Sequence, residues 1–268
     1  MKGKVLICAG SDSGGGAGIQ ADIKAVTALG GFAMTAITAL TAQNTLGVQG
    51  VLGVEPGFIR QQIASVLDDL GADAIKTGML HDVPTIEAVC DEIAARAPGV
   101  PLVADPVMVA KGGHRLLAED AVETLKRRLL PLATLITPNI PEAEVLAGMS
   151  IDGEAGMERA AKALLALGVP AVLLKGGHME GEVLVDLLAT PEGITRFEDR
   201  RVATRHTHGT GCTMASAIAA GLAQGMAMVP AVARARAYVR AAILAAPGFG
   251  SGHGPLDHGV TVDATRFG

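Results

Sequence analysis

Aromatic residues and cysteines are scarce in this sequence. It has no Trp, one Tyr and five Phe, so aromatics make up 2% of its 268 residues. Because 49% of the residues are hydrophobic, we expect a core built mainly from tightly packed aliphatic side chains. Cys8, Cys90 and Cys212 form no C-x-x-C pair, which argues against a zinc site or a disulfide framework. The start of the chain shows no signal-peptide pattern, so a reducing cytoplasm is the expected location.

Basic runs and long apolar runs are also missing. A net charge of -5, without Lys and Arg interleaved with aromatics, argues against a nucleic-acid partner. Two stretches, 25–54 and 206–233, contain no Asp, Glu, Lys or Arg. Both are interrupted by Gly and polar residues, so neither supplies about 20 predominantly apolar residues for a membrane span. We therefore expect no membrane partner and interpret both as buried parts of an α/β fold.

Short apolar runs alternate with segments of helical periodicity along the chain. Repeated β-then-α units predict one α/β domain, residues 1–268, with a mostly parallel sheet covered by helices on both faces. Ligands of such sheets bind outside the carboxyl ends of the strands. The apolar runs predict strands at 4–9, 32–40, 48–54, 74–75, 102–104, 135–137, 172–174, 183–188 and 194–197, the last two as a hairpin, and the periodicity predicts helices at 17–29, 56–70, 83–96, 119–129, 141–147, 154–167, 210–224 and 231–245.

The sequence has neither the P-loop pattern nor the catalytic loop and D-F-G of protein kinases. The best candidate for binding phosphate is 206–213, His-Thr-His-Gly-Thr-Gly-Cys-Thr, which precedes a strong helix-forming run. Gly209, Thr210 and Gly211, here called the GTG segment, would free backbone N–H groups to converge on an anion at a helix N-terminus. Such a site suits the transition state of phosphoryl transfer. The alternative is a glycine-rich helix start that serves only close packing.

The segment 206–213 resembles the signature of hydroxymethylpyrimidine/phosphomethylpyrimidine kinases in the ribokinase superfamily. This resemblance implies a ribokinase-like three-layer sandwich and a small-molecule substrate. The implied reaction is ATP- and Mg²⁺-dependent phosphorylation of 4-amino-5-hydroxymethyl-2-methylpyrimidine, and then of its monophosphate, for thiamine synthesis. Relatives are commonly dimers, which implies a homodimer. The resemblance covers essentially the whole chain and includes 9–22 (AGSDSGGGAGIQAD), 38–45 (TALTAQNT), 76–80 (KTGML), 105–108 (DPVM), 137–144 (TPNIPEAE) and 175–178 (KGGH).

The resemblance also implies which residues form the phosphate and metal end. Asn139 and Glu142 look like the family's N-x-x-E segment, in which Asn139 binds ATP and Glu142 acts on Mg²⁺ through bound water. Asp105 would add negative charge to the same ion, and Lys175 would place a point charge on the ATP phosphates. Thr207 is a further candidate for ATP binding. The structural alternatives are a helix-start Glu, a turn Asp and a solvated strand-end Lys.

Cys212 stands where most ribokinase-like sugar kinases carry an Asp base, a departure typical of the pyrimidine kinase branch. A helix N-terminus lowers the pKa of a thiol, so we expect some thiolate that could accept the proton of the substrate hydroxyl. The alternative is a small thiol that only shapes the pocket. A loose, metaphosphate-like transition state needs little help from a base, so both roles for Cys212 stay open. Cys212 and the GTG segment are the catalytic candidates.

The acceptor end is predicted from the chemistry of an aminopyrimidine. Its ring nitrogen and amino group match the donor and acceptor of a Gln side chain, and the resemblance gives this role to Gln43. Asp22 is expected to hold the hydroxymethyl group or a ring substituent. Gly10 would let the backbone approach the substrate. Met79 and Val107 would form apolar walls, although Met79 could equally be ordinary core.

Two glycine-rich segments are predicted as loops of the site. Residues 11–18 look too rich in glycine to be rigid and are interpreted as a substrate loop, while 111–113 (Lys-Gly-Gly) is a candidate lid. His178 and His208 are expected to be structural. Arg236 stands where relatives often have Lys, which keeps the charge but changes the geometry, so no role is assigned to it.

Two other functions stay open. A pyridoxine or pyridoxal kinase of the same architecture would act on a ring that also carries a hydroxymethyl group. A non-catalytic protein could instead bind the pyrimidine as a sensor. The complete set of Asn139, Glu142, Lys175 and the GTG segment argues against a sensor, because a sensor needs no phosphate machinery.

Overall fold

The computed structural model describes residues 2–109, 116–118 and 120–267. Every predicted strand and helix is present, with ends displaced by a few residues. The strands are β1 (Lys4–Asp12), β2 (Phe32–Asn44), β3 (Gly47–Gly53), β4 (Ala74–Thr77), β5 (Leu102–Ala104), β6 (Leu135–Ile136), β7 (Val172–Lys175), β8 (Val183–Thr190) and β9 (Gly193–Arg200). The helices are α1 (Gly18–Ala28), α2 (Pro56–Asp69), α3 (Val83–Arg96), α4 (Ala121–Thr124), α5 (Ile140–Ala147), α6 (Gly153–Leu165), α7 (Thr210–Ala223) and α8 (Met228–Leu244), and α4 continues as a π-helix (Leu125–Leu129) and a 3₁₀ turn (Leu130–Leu132).

The strands form one sheet in the order β3-β2-β1-β4-β5-β6-β7-β8-β9. The strands from β2 to β7 in this order pair in parallel. Antiparallel strands close both edges, namely β3 on one side and the β8–β9 hairpin on the other. The predicted mostly parallel sheet and its hairpin are therefore confirmed.

Helices cover both faces of the sheet. In β1, Val5 and Ile7 pack with α1, α7 and α8, whereas Leu6 and Cys8 pack with the helices from α2 to α6. This near-continuous apolar run is typical of a parallel strand that is buried on both faces. Among the described residues, no helix is long and apolar enough to cross a membrane.

Two strands extend further toward the site than their apolar runs predict. β1 continues past a bulge between Ala9 and Ser11, so that Asp12 pairs with Thr41 of β2. β2 in turn continues to Asn44, beside β3. These extensions bring polar side chains from two neighbouring strands to the same end of the sheet.

Candidate active site

A cleft of about 1010 Å³ runs along the carboxyl ends of the parallel strands. It reaches from the end of β2 to the β8–β9 hairpin and the first turn of α7. Thirteen of the fourteen predicted site residues line it: Gly10, Gln43, Met79, Asp105, Val107, Asn139, Glu142, Lys175, Thr207, Gly209, Thr210, Gly211 and Cys212. The candidate lid at 111–113 lies outside the described residues.

Asp22 is the predicted site residue that does not line the cleft. Both of its carboxylate oxygens lie 2.9 Å from Nζ of Lys76, and Ser216 Oγ donates to Oδ1 at 2.7 Å. Asp22, Lys76 and Ser216 are all completely buried. The expectation that Asp22 contacts the acceptor is therefore corrected, because its carboxylate is held below the cleft floor. Lys76, to which the sequence assigns no role, borders the cleft although its side chain is completely buried.

Lys175 lies at the centre of the predicted phosphate and metal end. Its Nζ donates to Oδ1 of Asp105 at 3.0 Å, and Thr137 Oγ1 donates to the same oxygen at 2.9 Å. Burial opposes the charge on Lys175, but the carboxylates of Asp105 and Glu142 outweigh it and raise the pKa of this lysine. The ammonium is thus held in its charged form at the cleft surface.

Asn139 and Glu142 form a capping box at the start of α5. The Asn139 side chain accepts from the Glu142 backbone N–H at 3.0 Å, and Glu142 Oε2 accepts from the Asn139 N–H at 2.8 Å. The structural alternative for these residues is thus present in the fold. Both side chains nevertheless line the cleft. Burial raises the pKa of Glu142 to about 7, and the Asp105 carboxylate adds to this rise although Lys175 opposes it.

The glycines of the GTG segment have different neighbours. Gly209 has φ +82°, and a Cβ there would overlap the carbonyl oxygen of Gly16. Gly209 is therefore required by close packing, as the structural alternative expected. A Cβ on Gly211 would lie 3.3 Å from Lys175 Nζ and 3.4 Å from Asp105 Oδ2. Gly211 thus keeps the space in front of the lysine open.

Cys212 is half-buried in the first turn of α7. Burial raises the pKa of its thiol to about 12, and the ammonium of Lys76 offsets only part of this effect. The expectation of a lowered pKa is wrong, because the loss of water outweighs the Lys76 ammonium and the backbone hydrogen bond from Gly18. A thiol of this kind stays protonated near neutral pH.

Asp12 organises the acceptor end and was missed in the sequence. Its carboxylate accepts from the backbone N–H groups of Gly14, Gly16 and Ala17 at 2.8 to 3.0 Å, and His208 Nε2 lies 3.0 Å from Oδ2. The segment 11–18, expected to be loose, is held together by these bonds. Burial alone would raise the pKa of Asp12, but hydrogen bonds from the His208 ring, the Gln43 side chain and the backbone hold it well below its usual range.

The predicted apolar wall formed by Met79 depends on a close approach of its side chain to the backbone of Gly10. A Cβ on Gly10 would lie 3.0 Å from Met79 Sδ, so the glycine allows the thioether to lie against β1. Thr38 Oγ1 donates to the Met79 carbonyl at 2.6 Å and fixes that residue. The backbone of Gln43 exchanges two hydrogen bonds of 2.9 Å with the Ser13 hydroxyl. These internal contacts fix the shape of this end of the cleft.

The oxygen atoms at the predicted phosphate end fit a magnesium ion that is bound by both the protein and the phosphates of ATP. Mg²⁺ keeps several waters and is usually bound by one or two carboxylates together with phosphate oxygens. Asp105 and Glu142 supply two buried carboxylates whose charge Lys175 only partly balances. In the part of the chain that the structure describes, no group of three His, Cys, Asp or Glu side chains could hold a metal.

Comparisons with known proteins identify the family of this chain. The family model for phosphomethylpyrimidine kinase matches residues 12–257. The chain is 50% identical over 265 residues to the thiamine biosynthesis bifunctional protein ThiED of Geobacter sulfurreducens, and the match covers 99% of this chain but 54% of that protein, about half its length. It is 49% identical to the hydroxymethylpyrimidine/phosphomethylpyrimidine kinase of Streptomyces coelicolor, over 95% of this chain and 94% of that protein.

A solved structure extends the likeness to the whole fold. The Bacillus subtilis pyridoxal kinase in its ADP complex is 37% identical, with a TM-score of 0.89 and full coverage of both chains. The ribokinase-like fold expected from the motifs is therefore confirmed. Since the family model covers most of the sequence and identity reaches one half over nearly its full length, this chain belongs to the phosphomethylpyrimidine kinase family.

Proposed function

We propose that this chain transfers the γ-phosphoryl group of ATP to the hydroxymethyl group of 4-amino-5-hydroxymethyl-2-methylpyrimidine. A second transfer to the resulting monophosphate gives the diphosphate used in thiamine synthesis. The observation that carries this proposal is one cleft that joins a Gln43 end to the cluster of Lys175, Asp105 and Gly211. Family membership supports the reaction, and the relatives' names supply the acceptor.

The chain's own groups have complementary tasks in this reaction. The Gln43 amide pairs with the ring nitrogen and the amino group of the pyrimidine, which orients the hydroxymethyl group. Lys175 and the backbone N–H groups at the start of α7 face the transferred phosphate, where negative charge spreads over three oxygens. The Asn139 side chain and Thr207 line the cleft toward the nucleotide. Binding and orientation are therefore the main contributions of the protein.

We infer that Asp105 and Glu142 hold Mg²⁺ together with ATP. An ion held by these two carboxylates would supply positive charge that offsets the negative charge developing on the phosphate. The Glu142 carboxyl must lose its proton to serve this ion, which its pKa of about 7 allows near neutral pH. ATP itself is supported by the ADP complex of the Bacillus subtilis pyridoxal kinase.

A coupled assay of ADP release tests the proposal. The protein is incubated with ATP and Mg²⁺ and, separately, with the pyrimidine alcohol, its monophosphate or pyridoxal, and phosphorus NMR identifies the products. We expect ADP with the first two acceptors, and a Lys175→Met variant controls for contaminating kinases. ADP with neither pyrimidine acceptor would overturn the proposal.

Pyridoxal phosphorylation is the second candidate. It is favoured by the TM-score of 0.89 with a pyridoxal kinase, which has a fold of the same kind. Turnover of pyridoxal alone in the same assay would establish it. Pyrimidine binding by calorimetry without ADP release from any acceptor would instead support a sensor.

We also infer that a single domain supplies both ends of the cleft and that two copies associate. The exposed edge strand β3 supports the dimer, because Leu52 of β3 is 67% exposed and pairs with the exposed Leu40 of β2. Unpaired edge strands with apolar side chains are common sites of association.

A further inference from the structure

Arg236 of α8 lines the cleft, where it joins two carboxylates and an aromatic ring. Its Nε donates to Oδ2 of Asp186 at 2.8 Å, and its Nη1 lies 3.0 Å from Oδ2 of Asp199. The guanidinium carbon is 5.3 Å from the centroid of the Phe197 ring. Arg236 is 8% exposed and Asp186 is 4% exposed. Water therefore screens this ion pair weakly, and its geometry is held firmly.

Asp186 links Arg236 to the turn that follows β7, because its carboxylate contacts both. Its second oxygen, Oδ1, accepts from the backbone N–H of Gly176 at 2.9 Å. Asp186 is also the residue that faces Lys175 across the β7–β8 pair. A Cβ on Gly176 would overlap the carbonyl oxygen of Val185, so the backbone of the turn lies directly against β8. The Lys175–Gly176 backbone is thus held by Asp186, and Asp186 is held by Arg236.

The position of the Lys175 ammonium depends on this backbone. The Lys175 N–H donates to the Pro138 carbonyl at 2.9 Å, and its Nζ donates to Asp105 at 3.0 Å. A shift of Gly176 would therefore move the stem of the lysine relative to Asp105. Since Lys175 is the candidate partner of the ATP phosphates, such a shift would change nucleotide binding before it changed acceptor binding.

A guanidinium can make these contacts together, whereas an ammonium cannot make them equally well. The planar fork of Arg236 reaches carboxylates on both β8 and β9, and its flat face stacks on Phe197. An ammonium is a point charge on a flexible stem and lacks that fork. Arg236 therefore forms a rigid link between α8 and the hairpin.

We propose that Arg236 is a positioning residue, which orients the Lys175–Gly176 turn through Asp186 and thereby sets the affinity of the cleft for the phosphates of the nucleotide. This inference rests on the proposed kinase function. The Kd for ADP measures the effect of Arg236 on nucleotide affinity without requiring phosphoryl transfer.

The test compares Arg236→Met, Arg236→Lys and Asp186→Asn with a matched control on the same helix. That control is Arg234→Met, because Arg234 donates to Gln224 at 2.7 Å and does not line the described cleft. For each variant, calorimetry gives the Kd for ADP, the coupled assay gives KM for ATP and for the acceptor, and thermal unfolding gives Tm.

We expect Arg236→Met to raise the Kd for ADP and the KM for ATP by about tenfold or more, as for truncation of a buried charge pair. The KM for the acceptor should stay within about twofold, and Arg236→Lys should recover part of the loss. Asp186→Asn should resemble Arg236→Met. If both residues act on the same turn, the double variant of Arg236 and Asp186 should lose little more affinity for ADP than the more severe of the two single variants. Arg234→Met should leave both nucleotide constants unchanged.

Three results would overturn the proposal. The first is a folded Arg236→Met variant with nucleotide constants within about twofold of the parent and only a lower Tm. The second is an equal rise in KM for both substrates, and the third is full additivity in the double variant. Should Arg236→Met fail to fold, the near-isosteric Asp186→Asn and the charge-conserving Arg236→Lys decide the outcome. A parent that binds ADP but phosphorylates nothing would defeat the proposed function while leaving this test intact.

Discussion

Glu142 and Asp105 are buried close to each other, and both act on the ammonium of Lys175. The pKa of Glu142 rises from 4.5 to about 7 because burial disfavours its charged form. The folded state then binds this proton more tightly than the unfolded chain, so stability is lost as pH rises from about 4.5 to 7. The charged form of Glu142 thus lowers the stability of the fold.

Glu142→Gln removes this cost while preserving the shape and the accepting oxygen of the capping box. Mg²⁺ is removed with a chelator at both pH values. We then expect the Tm of the variant to exceed that of the parent by several degrees at pH 8, and by less at pH 5. Activity at limiting Mg²⁺ should fall. Thermal unfolding at both pH values measures the first effect, and Glu123→Gln, at a side chain 80% exposed, is the control. A gain that is equal at both pH values would contradict the role of burial.

Cys212 leads to a prediction about reactivity. Because burial raises the pKa of its thiol to about 12, alkylation by iodoacetamide should be slow at neutral pH and should still rise above pH 9. Mass spectrometry follows the adduct. A Cys212→Ser variant gives the background from Cys8 and Cys90, whose thiols have pKa values raised to about 12 by burial as well. A midpoint near pH 7 would restore Cys212 as a candidate base.

Residue identity predicted which side chains meet at the cleft, because strand ends of a parallel sheet converge. It did not predict how each is charged. The pKa of Cys212 and the burial of Asp22 depend on how much water the surrounding helices exclude, which neighbouring residues in the sequence do not reveal. The signal for Lys76 was visible, however, since a charged residue inside the apolar run of β4 needs a buried partner.

At the scale of elements, the two glycines at the start of α7 have different predicted roles, one in packing and one at the cleft. Gly209→Ala places a Cβ on the Gly16 carbonyl and forces a side chain into a positive φ, so we expect a lower Tm together with lost activity. Gly211→Ala adds a methyl 3.3 Å from Lys175 Nζ. We expect that variant to lose at least about tenfold in kcat/KM with a Tm close to that of the parent. Thermal unfolding and the coupled assay measure both variants.

The comparison of the two glycines fails if Gly211→Ala unfolds as readily as Gly209→Ala, or if it keeps full activity. In the first case Gly211 would serve packing alone. In the second, the space in front of Lys175 would not be needed by the phosphate. Gly221→Ala is a useful reference for packing, because a Cβ there would lie 2.9 Å from Ala231 Cβ, away from the cleft.

The periodicity of the sequence predicted where the strands and helices lie, but it did not predict where each of them ends. The apolar run that predicts β1 stops at Ala9, but backbone pairing with β2 carries the strand to Asp12 after a bulge. The helix predicted over 119–129 includes the π-helical residues Leu125–Leu129, whose wider winding the spacing of apolar residues does not distinguish. For β1, pairing with the neighbouring strand therefore decides where the element ends.

At the scale of the whole molecule, the edge strand β3 bears on assembly. If two copies associate there, Leu52→Glu should convert a dimer into a monomer in analytical ultracentrifugation, since a buried unpaired carboxylate is costly. Leu244→Glu, at a residue of α8 that is 63% exposed, is the control and should leave the mass unchanged. A monomeric parent, or a Leu52→Glu variant that stays dimeric, would contradict this assignment.

Two buried contacts, one at the cleft and one beneath it, join parts of the chain that are far apart in sequence. Asp22 meets Ser216 across 194 residues, and Asp12 meets His208 across 196. Forming such distant contacts slows folding, because a long loop must close before any bond compensates its entropy. During synthesis, α1 and β4 emerge well before α7, and Asp22 must wait for its hydroxyl partner. A nascent chain can thus build most of its sheet and still lack a working centre until its last quarter has been made.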